Sequence, residues 1–181
     1  MKIKAILATL AVYASALALL AVVYNSALEE AVTLGNQHLN RATALQESQV
    51  IVDPRARAEL GSAIAEFDKV LFFDHDNLDI LSNRAGARFK LGIFDGAVQD
   101  LDRCIALAPA DWYHYYLRAS AYENLGNYDA AGRDYQTALQ TANRDINPGS
   151  LQIVNRSYEN FLRKTRMASA AVNGLNLASY R

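Results

Sequence analysis

Hydrophobic and polar positions along the chain sort into an uncharged opening, two helical stripes and a pattern written twice. Residues 5–24 carry no charge, with Lys2 and Lys4 before them and no lysine or arginine after them until Arg41. Leu28, Val32, Leu39 and Ala42 or Leu45 then recur at helical spacing, which predicts a helix over residues 26–50. No glycine or proline lies between Tyr24 and Leu34, so nothing separates that helix from the apolar run. Asp53 and Pro54 supply a capping side chain and a first-turn proline. The helix they open reaches about Phe72 and carries its stripe on Ala63, Phe67, Val70 and Leu71.

From residue 78 to 139 one pattern is repeated 34 residues later. Arg84-Ala85 falls on Arg118-Ala119, Ala87 on Ala121, Leu91-Gly92 on Leu125-Gly126, and Phe94 on Tyr128. The register continues through Ala97 and Ala131, Asp100 and Asp134, Leu101 and Tyr135, Cys104 and Ala138, and Ile105 and Leu139. Each copy reads as two helices parted at a glycine, the residue that takes a left-handed cap at little cost. Small residues (Ala85 and Ala97, Ala119 and Ala131) stand where the two helices must approach closely, and Pro109 stops the first copy.

On these residues and this spacing the chain resembles the tetratricopeptide-repeat family, whose antiparallel helix pairs stack on their neighbours. The resemblance implies an all-α, right-handed solenoid of about three hairpins plus a capping helix. Its clear repeats are 78–111 and 112–145. A degenerate repeat occupies 26–77, because Ala63, Phe67, Val70 and Leu71 lie one period before Ala97, Leu101, Cys104 and Ile105. After a polar connector over 142–147, Asn147-Pro148 opens the capping helix, 148–167, with its apolar face on Leu151, Val154, Tyr158, Phe161 and Leu162. Residues 168–181 hold Gly174 and few large apolar groups, and read either as a loose tail or as a docking segment.

Composition narrows the picture in two places. A chain that is 51% apolar can fill a core, and a net charge of −1 lacks the basic patch that nucleic acid requires. Cys104 is the single cysteine, so no intrachain disulfide forms, and its register with Ala138 makes it a packed thiol.

The opening run sets the location. Twenty residues of helix cover about 30 Å, the thickness of a hydrocarbon core. Residues 1–25 are therefore expected as a single transmembrane anchor ahead of a repeat domain at 26–167. Ala14-Ser15-Ala16 also fits a signal-peptide cleavage site, which would make the protein secreted. That cut would leave the apolar residues 17–24 at the mature terminus, which an uncleaved anchor avoids. The lysines before the run place the N-terminus in the cytoplasm and the repeats on the extracytoplasmic side, periplasmic or extracellular.

Candidate chemistry is sparse. His38, His75 and His114 lack a second histidine or cysteine at metal-ligand spacing, and 74–77 lacks the central glycine and terminal glutamate of a calcium loop. No phosphate loop or nucleophile motif is present, so neither a cofactor, a metal nor an enzyme is expected. The resemblance instead implies a binding groove lined by first-helix residues: Asp79, Ser82, Asn83, Gly86, Phe89 and Lys90, then Tyr113, Tyr116, Ser120, Glu123 and Asn124. Asn83-Arg84 resembles the carboxylate-clamp subfamily, which grips the C-terminal carboxylate of chaperone peptides. That clamp needs basic residues on the next first helix, and Tyr113 and Leu117 stand there instead. In the run from Trp112 to Tyr116, Tyr115 shares the phase of Leu81 and is expected in the core. Tyr113 and Tyr116 are expected to face the groove as protein-binding anchors or to thicken the packing. The expected function is a membrane-anchored scaffold, a subunit of a larger membrane-associated complex whose partner is another protein. The alternative is an accessory of an enzyme system.

Overall fold

A computed structural model describes residues 2–45, 53–142 and 148–178, with side chains for 13–44, 53–142 and 148–166. The described residues form seven helices and no strand: α1 (Lys2–Leu45), α2 (Pro54–Phe73), α3 (Leu78–Lys90), α4 (Phe94–Leu107), α5 (Trp112–Asn124), α6 (Tyr128–Ala142) and α7 (Pro148–Ala178). They group into two compact units, Met1–His75 and Asp76–Arg181. The expected cap at Asn147, the connector at 143–147 and the end of the 26–50 helix beyond 45 lie outside the described residues.

In the first unit, α1 and α2 form a hairpin. α1 runs unbroken from the uncharged opening into its packed part, as the lack of glycine or proline predicts. Asp53 caps α2 by accepting from the Arg55 amide at 2.8 Å, and Pro54 occupies the first turn. α2 buries Ala56, Leu60, Ala63, Phe67, Val70 and Leu71, one stripe at helical spacing. Its partner face on α1 meets expectation at Ala42 and differs at the other positions. The fully buried positions are the small residues Ala31, Gly35 and Ala42, while Leu28, Val32 and Leu39 are only half-buried. The reason is close approach: a Cβ on Gly35 would stand 2.5 Å from the Phe67 ring. Large α2 side chains thus fill the gap, and α1 supplies the room.

In the second unit, α3–α4 and α5–α6 are hairpins, and α7 packs on α6. Both first helices end in the same motif. The Gly92 and Ile93 amides donate to the Phe89 and Arg88 carbonyls, and the Gly126 and Asn127 amides to those of Glu123 and Tyr122. These are Schellman caps, with the glycines at φ +78° and +77°. Nothing lies within 4 Å of a Cβ at Gly126, so a substitution there is penalised by backbone conformation rather than by a clash. Gly126→Val is expected to cost about 1–2 kcal/mol or somewhat more for a β-branched residue, read as a lowered thermal midpoint with helicity retained below it.

Between the helices, Ala85, Leu101 and Leu117 form one core cluster, with Ala119, Ala131, Tyr135 and Phe161 in the next. Ala138, Ala142 and Val154 make a third. Cys104 is fully buried, and burial pushes its thiol up to about 12, so it packs as expected and stays a thiol at neutral pH. α7 buries Val154 and Phe161 and half-buries Leu151, Tyr158 and Leu162, the face expected of a cap. It runs on to Ala178 rather than stopping near 167, so residues 168–178 continue the helix. One interior glycine, Gly174, costs a helix only about 1 kcal/mol and does not end it.

Candidate protein-binding surface

The repeated Arg and Asp of the sequence become an ion-pair core within each hairpin. Arg84 Nε and Nη2 clamp the Asp100 carboxylate at 3.0 and 2.6 Å, and Arg88 reaches the same carboxylate at 2.8 Å. Arg88 also donates to the Gly96 carbonyl at 3.2 Å. In the second hairpin, Arg118 clamps Asp134 at 2.7 and 2.8 Å and holds Asp102 at 2.6 Å. Asp100 thus serves two guanidiniums within α3–α4, while Arg118 on α5 joins Asp134 on α6 to Asp102 on α4 and so ties the two hairpins together. The hydrogen bonds that Arg118 donates to Asp134 hold its guanidinium firmly charged. Arg84, singled out beside Asn83 as part of a carboxylate clamp, is committed to Asp100, and Leu117 is buried in the core.

The first-helix residues divide by surroundings. On α3, Asp79 is exposed, while Ser82, Asn83, Gly86 and Lys90 are half-buried. Burial lowers the Lys90 ammonium below its ordinary value. Phe89 packs against Ala85, Leu101 and Leu117 and meets Phe94 edge-on at 5.5 Å, so most of it belongs to the core. On α5, Tyr113 is 41% exposed and Tyr116 is half-buried against two core clusters. Ser120, Glu123 and Asn124 continue along α5, and the Asn124 amide donates to the Ser120 carbonyl at 2.8 Å.

The structure adds partners that one-helix reasoning missed. Tyr135 on α6 lies 3.1 Å from Ser120 Oγ and donates to Glu123 at 3.1 Å, and Lys164 on α7 donates to the other Glu123 oxygen at 2.9 Å. Burial drives the Tyr135 phenol well above its ordinary value, keeping it a donor at any physiological pH. Ring contacts run from Trp112 and Tyr113 through Tyr116 to Tyr135, then to Tyr158 and Phe161, with successive centroids 5.8 to 6.4 Å apart. One signal was visible within the repeat itself. Where the first copy has Asp79, Ser82 and Leu101, the second has Tyr113, Tyr116 and Tyr135.

Tyr115 is half-buried, not core as its phase with Leu81 predicts, because its hydroxyl reaches out to the Pro109 carbonyl at 3.2 Å. The buried position is taken by His114, in register with Ile80. Its Nδ1 lacks a hydrogen-bond partner among the described residues, with Asp111 3.6 Å away. Burial holds the imidazole below its ordinary 6.5, and Asp111 opposes this more weakly. As pH falls, the unfolded chain therefore takes up the proton first. Stability is full above about pH 6.5 and declines below it. His114→Phe should flatten that decline, read as a smaller loss of thermal midpoint between about pH 7.5 and about pH 5.5 than in the parent.

Residues 115–145 match the family model of the tetratricopeptide repeat. Among curated proteins, the rat sperm-associated antigen 1 is 38% identical over 86 residues, and the human protein 44% identical over 66. These alignments cover 47% and 36% of this chain but only 10% and 7% of those proteins. Among solved structures, the TPR2B domain of yeast Sti1 in its pHsp70 complex has a TM-score of 0.62 at 19% identity, over 77% of this chain and 98% of that one. PcrH in complex with the chaperone-binding region of PopD gives 0.63 at 16%, over 78% and 95%. The first such domain of Spaghetti (RPAP3), bound to an HSP90 peptide, gives 0.54 at 18%, over 75% and 95%. Residues 115–145 thus match one tetratricopeptide repeat, and the chain shares the helical-hairpin fold of these solved tetratricopeptide-repeat structures.

Proposed function

We propose that the chain is a membrane-tethered scaffold that holds a segment of another protein against the tyrosine-rich face of α5, α6 and α7. The observation that carries this is Tyr113, an exposed ring set edge-on to Trp112 beside Tyr116, so that one face stays open while its neighbours hold it rigid. Rigid aromatic groups on a surface give much contact area for little loss of side-chain freedom on binding.

The relatives of this fold that hold chaperone peptides make a peptide segment the natural ligand class. A free C-terminal carboxylate is not the favoured feature, since Arg84 is already paired with Asp100 and Leu117 is core. An extended or helical segment with apolar side chains fits the tyrosine face better.

Support for the tether is the surface of α1. Residues 13–23 are exposed and almost wholly apolar, and the helix is long and apolar enough to cross a membrane. Confinement to the bilayer raises the effective concentration of a membrane-bound partner, so a modest groove affinity suffices. The assembly would then be a membrane complex, with the repeats on the extracytoplasmic side.

The test is co-purification of the full chain from mild detergent with Tyr113→Ala alongside. Tyr113 is the clean choice, since Tyr116 also supports two core clusters. The expected result is a partner lost by the variant, with helicity and melting unchanged. A partner retained in full by the variant would overturn the face. A partner held equally well after removal of residues 1–24 would overturn the tether.

A further inference from the structure

The end of α2 carries aromatic rings that the hairpin does not cover. Phe72 is 80% exposed and Phe73 55%, and the two rings meet edge-on at 4.7 Å. Phe73 in turn meets Tyr24 on α1 at 4.8 Å. The helices are antiparallel: His38 pairs with Glu59, Gly35 faces Phe67, and Tyr24 faces Phe73. The end of α2 therefore comes level with the last residue of the uncharged opening. There an apolar groove of about 320 Å³ opens between the helices, lined by Tyr24, Leu28, Ala31, Phe73 and the stem of Lys69.

On the reading that residues 5–24 span the bilayer, we propose that Phe72 and Phe73 insert into the headgroup–acyl boundary of the same membrane, a second and shallow attachment of the α1–α2 hairpin. Twenty residues at 1.5 Å each bring Tyr24 to the interface, and a ring in contact with Tyr24 stands there too. The surface is continuous: Leu19, Leu20, Val22 and Val23 are exposed just below Tyr24 on α1. Lys69 lies one turn back from Phe73, its ammonium 2.7 Å from Glu66 and its side chain 62% exposed, so the charge stays among headgroups while the stem lies on the groove. Aromatic rings flanked by lysine are the composition of membrane interfaces. Asp74 and His75 follow at once and are exposed, which keeps the insertion shallow. Two attachments on neighbouring helices fix the tilt of the hairpin, which a single spanning helix leaves free to swivel.

The experiment uses the full chain in phosphatidylcholine vesicles, with a small environment-sensitive fluorophore at Phe72→Cys or, separately, at Leu20→Cys. Labelling is selective because Cys104 is buried and its thiol is pushed up to about 12. Lipids brominated on their acyl chains quench a label roughly 5–10 Å below the headgroups, and aqueous iodide quenches one outside. The expected result is loss of most fluorescence at both positions with brominated lipid and little loss with iodide. If Leu20→Cys is quenched by lipid and Phe72→Cys by iodide alone, the span stands and the second attachment is overturned. Protection of Phe72→Cys from both quenchers means protein covers it, and also overturns the proposal. Iodide quenching at Leu20→Cys removes the span itself.

Discussion

Asp100→Ala is expected to destabilise the α3–α4 hairpin by about 3 kcal/mol, the low end for breaking a buried ion pair, because its partners keep some contact with water. Asp100 binds both Arg84 and Arg88, whose side chains are only 16% and 20% exposed. Removing it weakens the hold on two cations at once. In the second hairpin one cation is affected rather than two. Asp134→Ala leaves Arg118 with Asp102, 2.6 Å away and 53% exposed, so a loss nearer about 1–2 kcal/mol is expected. Replacing Arg84 and Arg88 by methionine together with Asp100→Leu should recover most of the first loss, since apolar groups of similar volume carry no desolvation penalty. Denaturant unfolding of the full chain in detergent measures all three. Equal losses for Asp100→Ala and Asp134→Ala would show that sharing of the charges does not govern the hairpins.

Phe67→Ala should cost about 3–5 kcal/mol, by lost transfer energy and by the cavity left behind. Phe67 is the largest fully buried side chain among the described residues and fills the space that Gly35 leaves open on α1. The two positions must therefore be coupled. Gly35→Ala alone drives a methyl to 2.5 Å from the ring and is destabilising despite the better helix propensity of alanine. Combined with Phe67→Leu, which shortens the opposing side chain, the pair should cost less than the sum of its parts. Thermal unfolding gives the totals. Amide exchange in α1 and α2 shows whether the loss is confined to this hairpin, and additive losses would mean the two residues do not touch in solution.

The aromatic face proposed for the second unit draws on residues from two sources. Tyr113 and Tyr116 followed from their spacing on α5, but Tyr158 and Lys164 come from α7, whose rotation about its own axis no repeat register specifies. Phe89 shows the converse error. Its phase matched the groove, yet its ring is long enough to turn back over Ala85 and Leu101.

What the sequence by itself determined is whatever depends on local backbone chemistry or a fixed period. The two Schellman glycines, the Asp53-Pro54 start, the stop near Pro109 and the all-helical class all follow from residues that act on their own neighbours in the chain. The 34-residue register also named Arg84, Arg118, Asp100 and Asp134 as recurring. Only the tertiary structure decided which carboxylate each guanidinium takes, because Arg88, Asp102 and Gly96 enter from turns and faces whose distance depends on how the helices cross. The same holds for α1. Hydrophobicity alone pointed to Leu28, Val32 and Leu39 alongside Ala42 or Leu45, but helices that pack closely choose small residues for the contact. Ala31, Gly35 and Ala42 became the seam because Phe67 needed the space.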